Sequence, residues 1–131
     1  DVIMAWGVIE HVTNPSLFLE KVYSLLNTSG IFVSEVPHSQ SLLVDYCRKT
    51  GKDPLRIIQG EQHIILYSKE AYIDLHKKSG LKLHKVQTNG LDFSTIIGIN
   101  DKELNQDIVS DVQSSLDSFM MGDLLRGFWY K

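Results

Sequence analysis

Short apolar runs alternate with longer amphipathic ones along this chain, and their spacing predicts an α/β arrangement. The run Val2 to Ala5 is too short for a helix and reads as a strand buried on both faces. Asn14 then offers a helix N-cap and Pro15 suits the first helical position. Phe18, Val22, Leu25 and Leu26 follow at helical spacing until Gly30 closes the segment. That helix is expected to cover one face of a sheet. Ile31 to Val36, rich in β-branched and aromatic residues, predicts a second strand that Pro37 ends, because proline cannot donate to a ladder. Leu42, Leu43, Tyr46 and Cys47 predict a short helix stopped by Gly51-Lys52-Asp53-Pro54, and residues 51–63 read as a loop. Ser68 can cap a helix to about Ser79 with Tyr72, Ile73 and Leu75 inward. Gly80 fits the left-handed position after it, and Leu81 to Val86 reads as a third strand.

From Asn100 the pattern changes. Asn100 with Glu103 resembles a capping box, and Leu104, Ile108, Val112, Leu116 and Phe119 repeat almost every four residues. A helix of about six turns ending at Gly122 is expected. Leu124 to Tyr130 then reads as a final strand, interrupted by Arg126 and Gly127. The sum is one domain over 1–131: about four strands with flanking helices, and a helical insertion over 99–122 before the last strand.

Composition narrows the function classes. With 43% hydrophobic and 22% charged residues the chain is ordinary for a globular protein. The formal charge is -3 and no run of Lys or Arg occurs, so no footprint for nucleic acid or an anionic membrane is present. A small-molecule acceptor fits better than a polyanion. The single Cys47, among Leu42, Leu43 and Tyr46, excludes an internal disulfide and reads as a buried reduced thiol, which favours a cytoplasmic setting. No apolar stretch approaches the ~20 residues that span a bilayer.

The order of motifs carries more. Val8-Ile9-Glu10-His11-Val12 follows the first strand, Asn14-Pro15 opens the helix, and Gly30 precedes the strand Ile31-Phe32-Val33. Gly60-Glu61-Gln62-His63, Tyr67-Ser68 and Gly80-Leu81 continue the series. This succession resembles the second half of the class I S-adenosylmethionine (SAM)-dependent methyltransferases. The resemblance covers most of the chain apart from residues 94–121. It implies a partial Rossmann-like methyltransferase sheet with an antiparallel last strand and SAM as cofactor. The family's glycine-rich cofactor turn finds no match, since the sequence contains no G-x-G. The expectation is therefore the carboxy-terminal, acceptor-side half of a methyltransferase, inactive alone and binding SAM poorly. A half sheet exposes an edge strand, so self-association is expected as well.

The resemblance also implies site residues. The Glu10-His11 turn lies where the family faces the methyl group, and His11 is a suitable general base because an imidazole titrates near neutrality. His63, in a loop that closes over substrate in the family, is the third catalytic candidate. Ala5, Trp6 and Gly7 are expected against the methionine part of SAM, and Pro37, His38, Glu61 and Tyr67 against the acceptor. His76 and His84 have no partner pattern and are expected at the surface. Relatives of the ubiquinone-biosynthesis type hold a divalent ion with Glu-x-x-Glu-His. Here Gly7 takes the first position, two ligands remain, and no bound metal is expected.

Two other readings stand beside the enzyme. One is a noncatalytic scaffold that associates through the helix 100–121. The other is a metal hydrolase using Glu10, His11 and His63, whose spacing matches no recognised ligand pattern.

Overall fold

The computed structural model describes residues 1–52, 62–90, 96 and 105–131. In order these form β1 (Val2–Trp6), a single 3-10 turn (Ile9–His11), α1 (Pro15–Leu25), β2 (Ile31–Pro37), α2 (Leu42–Thr50), α3 (Lys69–Lys78), β3 (Lys82–Asn89), α4 (Gln106–Ser118) and β4 (Leu124–Tyr130). The sheet order is β1-β2-β4-β3. β1 and β2 are parallel, while β4 runs antiparallel to both of its neighbours, β2 and β3. The chain is thus α/β with a mixed four-stranded sheet, as expected.

Local chemistry sets the helix starts. The Asn14 side chain accepts from the Leu17 N–H, Ser41 from Val44, and Ser68 from Ala71, each satisfying an amide that the first turn leaves open. The inner face of α1 carries Leu19, Val22 and Leu26 rather than Leu25, which is exposed. Together with α3 it covers one sheet face, where Phe32, Val36, Leu125, Trp129 and Tyr72 are buried. Each such large apolar side chain contributes about 2 kcal/mol by leaving water. Leu43, Val44 and Cys47 of α2 form a separate small core with Leu66 and Ile96, so the thiol is buried.

Three expectations need correction. β1 is buried on one face only: Val2, Met4 and Trp6 point away from the helices and are 56%, 62% and 47% exposed. Strand periodicity puts these alternate residues on one side, and none of the described helices packs there. β4 is not interrupted, because Arg126 pairs with Glu35 across the ladder and the indole of Trp129 lies over Gly127. A Cβ on Gly127 would sit 2.5 Å from the indole nitrogen, so only glycine fits beneath that ring. The helix before β4 ends at Ser118, not at Gly122, with Phe119 as its C-cap and Met120 in the left-handed turn that follows, at φ 58°. Its expected start, with Asn100, Glu103 and Leu104, lies outside the described residues, and Asn105 caps the described part. Ile108 and Phe119 face outward, and α4 is tied to β3 by the Thr88 hydroxyl donating to Asp117, a carboxylate that Gln113 also contacts from within the helix.

Candidate functional site

Three strands run the same way, and their carboxyl ends, with the start of β4, meet at one edge of the sheet. There a crevice of about 220 Å³ opens, lined by Gly7, Glu10, Glu35, Val36, Pro37, His63, Gly90, Asp123 and Leu124. Gly7 follows β1, Glu35 to Pro37 end β2, Gly90 follows β3, and Asp123 and Leu124 open β4. In open α/β sheets ligands bind at this edge, because the connections leaving the strands there border a cleft. Gly7 has φ +59°, which turns the chain sharply after β1 and brings Glu10 back under the crevice.

Glu10 and His11 lie on the 3-10 turn, and the loop bearing His63 is pinned to it. The amides of Ile64 and Ile65 both donate to the Glu10 carbonyl, at 2.9 and 3.2 Å. That clamp brings the rings of His11 and His63 to 4.9 Å between centroids. Nδ1 of His11 is 2.6 Å from the Gln62 carbonyl oxygen. A carbonyl only accepts, so Nδ1 carries the proton and Nε2 keeps the lone pair. Nε2 in turn lies 3.8 Å from Oε1 of Glu10. Glu10 is buried, and its Oε2 has no hydrogen-bond partner among the described residues. A buried carboxylate oxygen left without a partner is costly.

The structure distributes the other expected site residues. Ala5 is buried under the helices, and Pro37 lines the crevice. The Trp6 ring is on the bare face, with the Arg126 guanidinium 5.0 Å above it. Tyr67 is buried beside Glu10; burial first, and the Glu10 charge second, push its phenol up to about 12. Its hydroxyl has no hydrogen-bond partner among the described residues. His38 does not line the main crevice. It is buried in a second depression with Gln40, Lys69, Glu70 and Met120, where its Nδ1 lies 3.2 Å from the Gly122 carbonyl and burial lowers its pKa. Glu61 lies outside the described residues.

Glu35, Gly90 and Asp123 were not anticipated from the sequence. For Glu35 a signal existed, since it follows Val33 on the same side of a strand whose end borders the cleft. Gly90 and Asp123 meet through a backbone hydrogen bond from the Asp123 amide to the Gly90 carbonyl, which only the β3–β4 register reveals.

His76 is the clear correction. Expected at the surface, it is fully buried between Phe32 and Trp129, whose ring stacks on it at 4.2 Å. Its Nδ1 donates to the Tyr72 carbonyl at 2.7 Å, leaving Nε2 to accept from the Ser34 hydroxyl at 3.0 Å. Ser34 also meets the Tyr72 hydroxyl and accepts from the Trp129 indole. Burial lowers the His76 pKa to about 4, so the ring is neutral. His84 is exposed, as expected.

A family model described as a methyltransferase domain matches residues 1–86. No curated protein matches the chain. Solved structures do. A SAM-dependent methyltransferase from Thermotoga maritima is 18% identical with a TM-score of 0.67, and the match covers 100% of this chain and 56% of that one. One from Archaeoglobus fulgidus is 16% identical with a TM-score of 0.57, covering 100% and 59%. One from Mesorhizobium loti is 10% identical with a TM-score of 0.60, covering 100% and 61%. Identities this low establish the fold alone. The chain spans a little over half the length of these structures.

Proposed function

The chain belongs to the methyltransferase-domain family, and from that premise we propose that it supplies the acceptor side of a SAM-dependent methyltransferase acting on a small molecule. The observation that carries this reading is the crevice at the strand ends, lined by His63 and by a buried Glu10 that touches His11 and keeps one oxygen without a hydrogen-bond partner among the described residues. In this reading Gly7, with Ala5 and Trp6 before it, borders the methionine part of SAM. Pro37, at the end of β2, and Tyr67, buried beside Glu10, flank the acceptor. The absence of G-x-G among the 131 residues supports placing the main SAM-binding motifs in sequence beyond them.

Methyl transfer asks little of a protein beyond alignment and removal of a proton, because the sulfonium already carries a good leaving group. The acceptor's lone pair forms a bond to the methyl carbon, the carbon–sulfur bond breaks, and its electrons remain on sulfur as S-adenosylhomocysteine leaves. The acceptor's proton passes to Nε2 of His11, whose lone pair the Gln62 contact exposes. Glu10 stabilises the imidazolium that results, and His63, beside His11 on the lining of the crevice, orients the acceptor.

The outer edge of β1 has no strand partner among the described residues. We accordingly propose that the isolated chain self-associates, which gel filtration at several concentrations reads directly. The catalytic roles are tested in the complete enzyme by steady-state kinetics. His11→Ala and His63→Ala should lower turnover while SAM affinity stays within threefold of wild type. Unchanged turnover removes that histidine from the mechanism. No helix among the described residues is long and apolar enough to cross a membrane.

A further inference from the structure

We propose that the acceptor is a small primary or secondary amine, held at the crevice as its ammonium by Glu10. The inference rests on the methyltransferase reading above and names the acceptor's chemical class within it. Hydrogen-bonding capacity around the crevice is unbalanced in one direction. Oε2 of Glu10 is buried and has no hydrogen-bond partner among the described residues. Nδ1 of His11 donates to the Gln62 carbonyl, so Nε2 presents a lone pair, and it faces Oε1 of Glu10 at 3.8 Å with no proton to offer. The Tyr67 hydroxyl, buried beside Glu10, also has no hydrogen-bond partner among the described residues, and its oxygen can accept. These neighbouring groups call for donors. An ammonium carries donors only, whereas a hydroxyl brings one donor with two lone pairs and a carboxylate brings acceptors alone.

Charge points the same way. Glu10, Glu35 and Asp123 all border the crevice, and its described lining residues include no Lys or Arg. Arg126 of β4 offsets Glu35, at 2.7 Å. An acidic wall in a partly enclosed site favours a cation over a neutral or anionic ligand, because low dielectric strengthens the attraction. The cavity of about 220 Å³ is smaller than the roughly 300–1,000 Å³ of drug-sized sites, so it suits an amine head group on a short stem.

The chemistry then runs as follows. One N–H of the ammonium gives its proton to Nε2 of His11, and the lone pair this frees forms the bond to the methyl carbon. The carbon–sulfur bond breaks with its electrons left on sulfur, and the product is an N-methylated ammonium. The imidazolium returns its proton to water. Glu10 faces a positive charge throughout: the ammonium first, then the imidazolium, and finally the product.

The test is calorimetry on the complete enzyme, with and without S-adenosylhomocysteine, using probes matched in shape: benzylamine, benzyl alcohol and benzoate, then butylamine, butanol and butyrate. An amine should bind roughly tenfold or more tightly than the alcohol and the carboxylate of the same stem. With SAM supplied, mass spectrometry should place the new methyl group on nitrogen. Glu10→Gln should weaken amine binding about tenfold and leave alcohol binding within twofold. Glu20→Gln, which removes an exposed carboxylate of α1 outside the crevice lining, should change neither. Far-ultraviolet circular dichroism confirms the fold of each variant, and the wild-type comparison decides the case without them. Equal or tighter binding of alcohol or carboxylate, no binding of either amine, or an undiminished preference in folded Glu10→Gln overturns the proposal. SAM affinity on the same preparation separates the two failures. If SAM binds and no amine is preferred, the acceptor class is wrong and the methyltransferase reading stands; if SAM does not bind, that reading fails and this proposal with it.

Discussion

Two groups of histidines divide the labour in this molecule. Around His76 both ring nitrogens have partners, two aromatic rings flank the imidazole, and the Ser34 hydroxyl meets three side chains, donating to His76 and accepting from Trp129. Around His11 and His63 a buried carboxylate keeps one oxygen without a hydrogen-bond partner among the described residues, and Glu10 and His63 line a cleft. A fully satisfied polar cluster fixes packing and rigidifies a core. An unsatisfied one at a strand end trades stability for the capacity to bind. Histidine content alone does not separate them; the balance of donors and acceptors does.

Substitutions should break this contrast in opposite ways. The largest effect is expected on activity: His11→Ala in the complete enzyme should cost about 10²- to 10⁴-fold in turnover, the usual worth of a positioned base, with the denaturant midpoint almost unmoved. Turnover and chemical denaturation measured on one preparation check both halves. Next, His76→Ala should destabilise the fold by about 3 kcal/mol, since it opens a cavity beside Trp129 and leaves the Ser34 hydroxyl without its acceptor. Urea unfolding reads this loss.

The pH dependence sharpens the contrast further. His76 is held neutral with a pKa of about 4 against an ordinary 6.5, and burial is the first cause. Between those values the unfolded chain binds a proton that the folded chain refuses. Stability from this residue is therefore full above pH 6.5, declines as pH falls, and levels off below about 4, for a total of about 3 kcal/mol. Urea midpoints across that window should show the slope in wild type and a flatter profile in His76→Gln. The smallest effect is expected at Glu10→Gln, which removes a buried charge. It should raise stability by about 1 kcal/mol while impairing function, the mark of a site residue. A stability loss of several kcal/mol in that variant would instead make Glu10 part of the scaffold.

Much of the frame was legible in the sequence because caps and periodicity are local. Asn14, Pro15 and Ser68 placed two helices, and Gly80 and Pro37 placed ends. What the sequence did not disclose depends on covering layers and on register. Val2, Met4 and Trp6 look like one buried run until the helices are seen to pack on the other face. His76 carried a usable signal: it follows Tyr72 by four residues, so the two share a helix face, and Tyr72 was read as inward. Its partners Ser34 and Trp129 belong to two different strands, which no local pattern connects. In the site, Glu10 and His11 were visible as neighbours at a strand end. The approach of His63 depends on two amides of the following loop donating to the Glu10 carbonyl, a contact set by tertiary folding. Glu35 enters through the β2–β4 pairing, and Asp123 through backbone hydrogen bonds with His38 and Gly90.

The central claim is that this chain is the acceptor-side part of a SAM-dependent methyltransferase, and calorimetry with SAM tests it most directly. The titration is run on these 131 residues and on a chain extended upstream by a cofactor-binding half. The account predicts saturable binding to the extended chain and little or none to the shorter one. Absence of binding to a folded extended chain would contradict it.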